Sequence, residues 1–506
     1  MLLYVRHQIN RKGVKIGNIE EITLLQEIQE EVREIRQVSG FDAEVRALNT
    51  LSQNLAQELN NIVKEAKKEN LIKAKRLLQV HLKQALMYQE VYVDKNGKIV
   101  SYGDVYMQGL SQNNTGSGRT HLGSFTRVAL PSDIEFVEVF GGHTTFYALP
   151  KEGNFLYVWG ANVEGCAGAG HTQVIPMPVR VEMPARVVKI CCGTSEVDSK
   201  QSAVALLENG LVYVSGSNSI GELGTGNTLP LSTFTQNPYL SNIEDISFAS
   251  NGYAGIMQCI DSEGALWVCG HNTQGACGNG NNTHITIPFK ISFNQKVKCA
   301  RASINRYSNV DYSTCLLIFE DGSVRGAGYG GDNNLSQAAT GNSNIFISLT
   351  NNQGEILSHI IKVFPASIYG TACALDESGN LYVWGKGSYG YGNDIGGNNL
   401  IAQKVLENVE SLVHWDRANT RIIVKLKSSD SFLGFGFNTD GSLGIGTNAN
   451  SNIFTPVYAP SNVSEFAFIG FGAGGHLVMI ANNKLYACGT ASNGSIKYTT
   501  PTLQKQ

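Results

Sequence analysis

LYVWGANVEGCAG, residues 156–168, joins a short apolar strand ending in glycine to a second run of glycines spaced three apart. The strand ending recurs as VYVSG at Gly216, LWVCG at Gly270, LYVWG at Gly385, FLGFG at Gly436 and LYACG at Gly489, with a degraded VRGAG at Gly328. Successive endings lie 51 to 58 residues apart, a period that marks a stacked or circular array of similar units. A turn and another apolar strand precede each ending, as in AVALLENG, CLLIFEDG and ACALDESG, so every unit contains a tight hairpin with Gly or Asn where φ must be positive. The second run recurs as well: Asn162, Gly165 and Gly168 are matched by Asn218, Gly221 and Gly224, by Asn272, Gly275 and Gly278, and by Asn438, Gly441 and Gly444. Each unit closes on a Pro-containing apolar strand, as in PMPVRV, IPFKI and TPVY, and opens on one such as VVKICCG, IEDISFAS or IIKVFPAS. A four-stranded sheet of this composition cannot bury both faces alone, and setting such sheets around an axis buries them against one another. The fold class expected is mainly β, a seven-bladed β-propeller, preceded by an α-helical coiled-coil segment.

The unit resembles the repeat of the regulator of chromosome condensation family. The likeness lies in the strand with Gly, the hairpin, L-Y-x-W-G and the x-N-x-x-G-x-L-G run, and it covers about residues 136–496 as seven units. Two units depart: Tyr-Gly-Gly-Asp-Asn-Asn-Leu follows Gly328 and Lys-Gly-Ser-Tyr-Gly-Tyr-Gly follows Gly385, so altered loops are expected there. The resemblance implies a propeller that serves as a guanine-nucleotide exchange factor or scaffold for a small GTPase. Members with exchange activity use a wedge-like insertion and acidic contacts on one face, and no position here matches such an insertion. Residues 91–135 echo half a repeat, VDKNGKIVSYG ending at Gly103, which leaves an eight-bladed ring open. FTRVAL at 125–130 reads as a closing strand, whereas SIKYTTPTLQKQ at the C-terminus makes a poor one. Residues 125–130 are therefore expected to complete the last blade, and loss of 497–506 to matter little.

The first ninety residues are different material, with 14 Lys plus Arg, 12 Asp plus Glu and only 3 Gly, against 25, 30 and 52 in the remainder. Leu25, Ile28, Val32 and Ile35 follow a heptad spacing that restarts as Val45, Leu48, Leu55, Leu59 and Ile62. Such a narrow seam fits helices of an oligomer, and isoleucine at two of its positions favours a homotrimer over a dimer; the alternative is an amphipathic helix pair packed on its own propeller. The division expected is a short attachment cap at 1–18, a helical stalk at 19–90 and the propeller at 91–506. Basic residues on the helix at 63–88 read as a solvated face.

A formal charge of −3 over 506 residues argues against nucleic acid as a partner, and no apolar run approaches the roughly 20 residues of a membrane span. The N-terminus turns polar after five residues, which is unlike a secretory signal. No G-x-S-x-G, G-x-x-x-x-G-K-[ST], H-E-x-x-H or EF-hand pattern occurs, so no enzyme, catalytic residue, cofactor or metal site is expected. Glycine-rich QNNTGSGRTHLG at 112–123 lacks the Lys of a phosphate cradle and reads as a loop. The ten cysteines have no C-x-x-C spacing and read as free, buried small residues. Histidines are scattered; His143 and His476, each after Gly-Gly, read as structural hydrogen-bonders.

Function must lie in what the repeats do not share. Three connections between first and second strands are enlarged: TSEVDSKQ at 194–201, SINRYSNVDYS at 303–313 and HWDRANTR at 414–421. Repeat geometry puts them on one face, where Arg306, Tyr307, Asp311, Tyr312, Trp415, Asp416 and Arg417 form the candidate binding surface; ordinary loop variation is the alternative. The architecture fits a non-enzymatic adhesive component, a phage tail fibre or receptor-binding protein of the virion assembled in the host cytoplasm. Its partners would be further copies of itself, other tail proteins through the N-terminus, and a host-surface glycan or protein. The alternative is the cytoplasmic exchange factor or scaffold that the repeat resemblance implies.

Overall fold

The computed structural model describes residues 106–109, 122–128, 130–131, 134–141, 145–193, 201–336, 341–366, 368–387, 392, 400–415, 420–427, 431–471, 474–481, 484–490 and 497–503. Seven four-stranded antiparallel sheets, here blades 1 to 7, follow one another at residues 136–182, 187–236, 243–291, 297–348, 360–406, 409–456 and 463–503. In every blade the strands pair in chain order, first to fourth. All seven belong to one compact unit, residues 105–128 and 136–506. The heptad seam from Leu25 to Ile62, the cap and the stalk lie outside the described residues. Among the described residues the one helical element is a 3-10 turn, Val163–Gly165, and no helix is long and apolar enough to cross a membrane.

Burial follows from the inner sheets, blades 2 to 6, being packed between their neighbours. Second strands such as Ser202–Leu207 and Thr371–Asp376 are buried at every residue, and third strands such as Val212–Gly216 and Leu381–Gly385 at all but their second. Sheets covered on both sides read as near-continuous apolar runs. Val204, Leu206, Val212 and Val214 of blade 2 pack against Ile246, Met257 and Cys259 of blade 3. Leu316, Ile318 and Val324 of blade 4 meet Ile360, Val363 and Ala374 of blade 5, and Ile423 and Phe432 of blade 6 meet Leu477 and Met479 of blade 7.

The recurring asparagine explains itself in place. Asn218 Oδ1 accepts the Leu223 amide at 2.9 Å while its Nδ2 donates to the Asn227 carbonyl at 2.9 Å, which fixes both ends of the loop between third and fourth strands. Asn272 does the same with Cys277 and Asn281, and Asn438 with Leu443 and Thr447. The loop so fixed reaches the next blade: Gly170 N donates to Ser232 O, Gly226 N to Thr286 O, Gly280 N to Asn344 O and Gly446 N to Thr499 O, each at 2.8 Å. Gly275, at φ 80°, lies so close to the Asn344 backbone that a Cβ would collide with it.

Two expectations are corrected. After Gly328 the loop keeps its backbone turns even though the motif is lost: Asn333 N bonds Gly330 O at 3.1 Å and Ser336 N bonds Asn333 O at 2.8 Å, as in intact units. Asn333 and Ser336 adopt the positive φ, 58° and 46°, that glycine supplies elsewhere; asparagine tolerates that region and serine does so at a cost. Residues 388–391 and 393–399 of the other departing loop lie outside the described residues.

The closing strand is also reassigned. Lys497–Leu503 is the fourth strand of blade 7, with Tyr486 opposite Leu503 and Gly489 opposite Tyr498. Leu122–Arg127 pairs instead with Tyr106–Gly109 in a separate two-stranded sheet, so residues 91–135 supply neither the missing strand nor, among the described residues, an eighth blade. The reason is local. Pro501 stands where Pro288 stands in blade 3, each beside the second glycine of the Asn-x-x-Gly-x-x-Gly run in the preceding blade, Gly444 and Gly224. Proline suits an outermost strand, whose free side needs no donor. Each of the seven blades is thus contiguous in sequence.

Candidate functional site

An antiparallel four-stranded blade puts its first and third connections at one end of the sheet and its second at the other. The first connection of blade 4 is not a loop. Val297–Tyr307 and Val310–Phe319 run as continuous partners to a two-residue turn, with Arg306 opposite Asp311 and Tyr307 opposite Val310. Ser308 and Asn309, at φ 49° and 63°, make the left-handed pair that matches the twist of a two-residue hairpin.

This hairpin is braced on both sides. Toward blade 3, Arg306 Nη1 contacts Asp311 Oδ2 at 3.1 Å and its guanidinium lies 4.0 Å over the Tyr253 ring. Asn251 donates through Nδ2 to Asp311 Oδ1 at 2.8 Å, and its own Oδ1 accepts the amides of Tyr253 and Ala254. Toward blade 5, the Tyr307 ring meets Tyr369 edge-on, centroids 5.0 Å apart. Lys386 Nζ sits 3.9 Å from the Tyr369 centroid and 4.0 Å from Asp332 Oδ1, while Tyr369 N donates to Asp332 Oδ2 at 2.8 Å. Tyr312 packs on Tyr329 at 4.9 Å. Tyr307 and Tyr253 remain 50% and 43% exposed, so the cluster is an open aromatic surface.

Its charged groups are two cations, Arg306 and Lys386, each beside a carboxylate, Asp311 and Asp332. Burial and then the Asp332 carboxyl push the Tyr329 hydroxyl up to about 12, and a hydrogen bond with Tyr307, followed by burial, raises Tyr369. Tyr369 also carries a φ of 66°, a region that costs a bulky side chain and that tends to be kept at functional positions.

Of the residues expected on this face, Arg306, Tyr307, Asp311 and Tyr312 come together. Trp415 ends the first strand of blade 6, in register with Arg421, and Asp416 and Arg417 lie outside the described residues. Residues 194–200 are outside as well. Missed by sequence reasoning were Asn251, Tyr253, Tyr329, Asp332, Tyr369 and Lys386. Three of these, Tyr329, Asp332 and Lys386, sit in the two loops whose motif departs from the repeat, which was the available signal.

Beneath the hairpin base, His271 Nδ1 lies 3.0 Å from Ser313 Oγ, and the His271 and His284 rings are 5.2 Å apart. Burial, with His284 second, drops His271 to about 3, so it is held neutral. Arg421, at the end of the third enlarged connection, is an interior group: it pairs with Asp440 at 2.6 Å, both 2% exposed, and lies 4.8 Å over Phe437. All ten cysteines are free thiols, nine of them buried. Burial raises Cys166 and Cys191 to about 11 and Cys277 to about 12, which keeps them from acting as thiolates.

The regulator of chromosome condensation (RCC1) repeat matches residues 154–196 and 263–304. The ultraviolet-B receptor UVR8 of Arabidopsis thaliana is 24% identical over 350 residues, 68% of this chain and 74% of that protein. The X-linked retinitis pigmentosa GTPase regulator of dog is 28% identical over 149 residues, 28% of this chain, and the human E3 ubiquitin-protein ligase HERC2 is 25% identical over 295, 55% of this chain. This chain spans only 14% and 6% of those two proteins. Human WBSCR16 superposes with a TM-score of 0.52 at 17% identity, over 69% of this chain and 87% of that one. Yeast Prp20p does so at 0.52 and 15%, over 72% and 89%. The chain carries an RCC1-like β-propeller.

Proposed function

We propose that the propeller is a non-enzymatic interaction module that regulates or scaffolds a partner protein docked on the face of blades 3 to 5, with a small GTPase as the partner class. The carrying observation is the long blade 4 hairpin, braced from Asn251 and Tyr253 on one side and from Tyr369 on the other, which presents Tyr307 without further ordering. Preorganised aromatic and arginine side chains give contact area at low entropic cost. The reading is supported by the matching repeat, which is named for a regulator of chromosome condensation, by one relative that is a GTPase regulator by name, and by Prp20p, described for its binding to Gsp1p and histones. Adhesion as a phage tail fibre rests on architecture alone, and these relatives favour the regulatory class over it.

The test is binding of the full chain to a panel of small GTPases, nucleotide-free and GDP-loaded, alongside release of a fluorescent GDP analogue. One or more should bind, and Tyr307→Ala should weaken binding by about 2 kcal/mol, roughly thirtyfold, with the thermal midpoint kept. Binding unaffected by Tyr307→Ala refutes the face, and no binding across the panel refutes the partner class.

A further inference from the structure

Two arrangements on this face share one composition. In each, a cation of the chain itself rests on a tyrosine ring beside an aspartate: Arg306 on Tyr253 with Asp311, and Lys386 on Tyr369 with Asp332. They differ in how firmly the cation is held. Arg306 makes two contacts to Asp311, at 3.1 and 3.3 Å, within a hairpin register that places them opposite each other. Lys386 approaches Asp332 only to 4.0 Å, on a flexible four-carbon stem. The surroundings of Lys386, by contrast, are rigid. Asp332 is fixed by the Tyr369 amide, Tyr369 by its own backbone and by Tyr307, and Tyr329 by Tyr312. A fixed aromatic and carboxylate surface closed by a loosely held ammonium is a site whose occupant can be exchanged.

We propose that the surface formed by Tyr307, Tyr369 and Asp332 receives a lysine or arginine side chain of the docked partner, and that Lys386 holds this place until the partner displaces it. The inference rests on the docking face argued above and names the chemistry it selects. A cation laid on the Tyr369 face gains the attraction of the ring quadrupole and the Asp332 charge together. An acidic partner group would instead have to use Lys386 as its anchor, and the two cases give opposite signs on removing that lysine.

The experiment uses full-length protein labelled with 3-fluorotyrosine, observed by fluorine NMR, and the probes Ac-Gly-Gly-Lys-Gly-Gly-NH2, its arginine counterpart and its glutamate counterpart. The lysine and arginine peptides should shift the Tyr307 and Tyr369 resonances saturably and the glutamate peptide should not. Lys386→Ala should tighten the basic peptides about fivefold, the range of a partly desolvated cation–π contact. Asp332→Asn should loosen them, and Tyr369→Phe, which keeps the ring, should leave them bound. Weaker basic-peptide binding by Lys386→Ala, preference for glutamate, or no saturable shift overturns the proposal. With a GTPase partner in hand the two readings separate. Loss of binding in Tyr307→Ala with no gain in Lys386→Ala refutes the cation alone, whereas normal binding by Tyr307→Ala refutes the face beneath it.

Discussion

Tyr369 holds a conformation that its residue type resists, and the contacts that keep it there are the ones that build the surface. At φ 66° the Cβ crowds its own backbone, and the Asp332 bond to its amide and the Tyr307 ring hold it in place. Replacing it with glycine removes a ring contact and relieves the backbone at once. Tyr369→Gly should therefore shift the thermal midpoint by less than about 2 °C, while the 5.0 Å ring packing with Tyr307 is lost, and a calorimetric scan measures the balance. His271 sets a pH limit. Its folded value of about 3 lies below the ordinary 6.5, so the unfolded chain takes up a proton first as the pH falls. The stability it contributes is complete above about pH 6.5 and is lost progressively toward pH 3. The unfolding free energy from urea titrations should decline from pH 6.5 to 4 by on the order of 3 kcal/mol on this account. His271→Asn, which keeps a partner for Ser313, should flatten that decline.

At the level of the element, the C-terminal strand carries more than its sequence suggests. Lys497–Leu503 covers the third strand of blade 7, and Thr499 O takes the Gly446 amide that ties blade 6 to blade 7. Deleting residues 497–506 should expose an unpaired strand and remove that tie, giving aggregation in size exclusion and a lowered thermal midpoint. Excising residues 125–130 leaves the four strands of blade 7 in place and should have a much smaller effect on that blade. Equal behaviour of the two deletions would reverse the assignment. The blade 4 hairpin shows the complementary case: SINRYSNVDYS reads as an enlarged loop, yet its alternating Ile304, Arg306, Val310 and Tyr312 let both strands run on to the Ser308-Asn309 turn.

For the whole molecule, blades contiguous in sequence mean that no strand from one end of the chain completes a sheet begun at the other. The described contacts between blades are instead side-chain packing, backbone bonds that recur between several successive pairs, and side-chain hydrogen bonds such as Asn251 to Asp311. We propose that assembly beyond one chain rests on the N-terminal heptads. The seam of Leu25, Ile28, Val32, Ile35, Leu48, Leu55, Leu59 and Ile62 would leave a monomer with a long apolar stripe in water. Light scattering should find the full chain oligomeric, with a trimer expected, and residues 91–506 monomeric. Ile28→Asp with Ile35→Asp should dissociate it, because a charge in a desolvated layer costs several kcal/mol. A monomeric full chain at micromolar concentration would remove the stalk.

The repeat was legible in the sequence because it is local. A strand ending in glycine, a hairpin and an Asn-x-x-Gly loop each satisfy their own hydrogen bonds within some ten residues, so the propeller and its seven units follow from the linear pattern. The first half of the candidate site was legible for the same reason, as Arg306, Tyr307, Asp311 and Tyr312 share one hairpin. The rest was not. Asn251 and Tyr369 reach that hairpin from neighbouring blades, 55 to 62 residues away in the chain, and nothing local distinguishes them from ordinary loop residues. Their convergence depends on how adjacent blades are set, which the Gly-to-carbonyl ties and the interleaved cores decide. The closing strand belongs to the same class: two weak strands competed for one exposed edge, and the choice fell to the tail whose proline and backbone fit the neighbouring loop at Gly444 and Gly446.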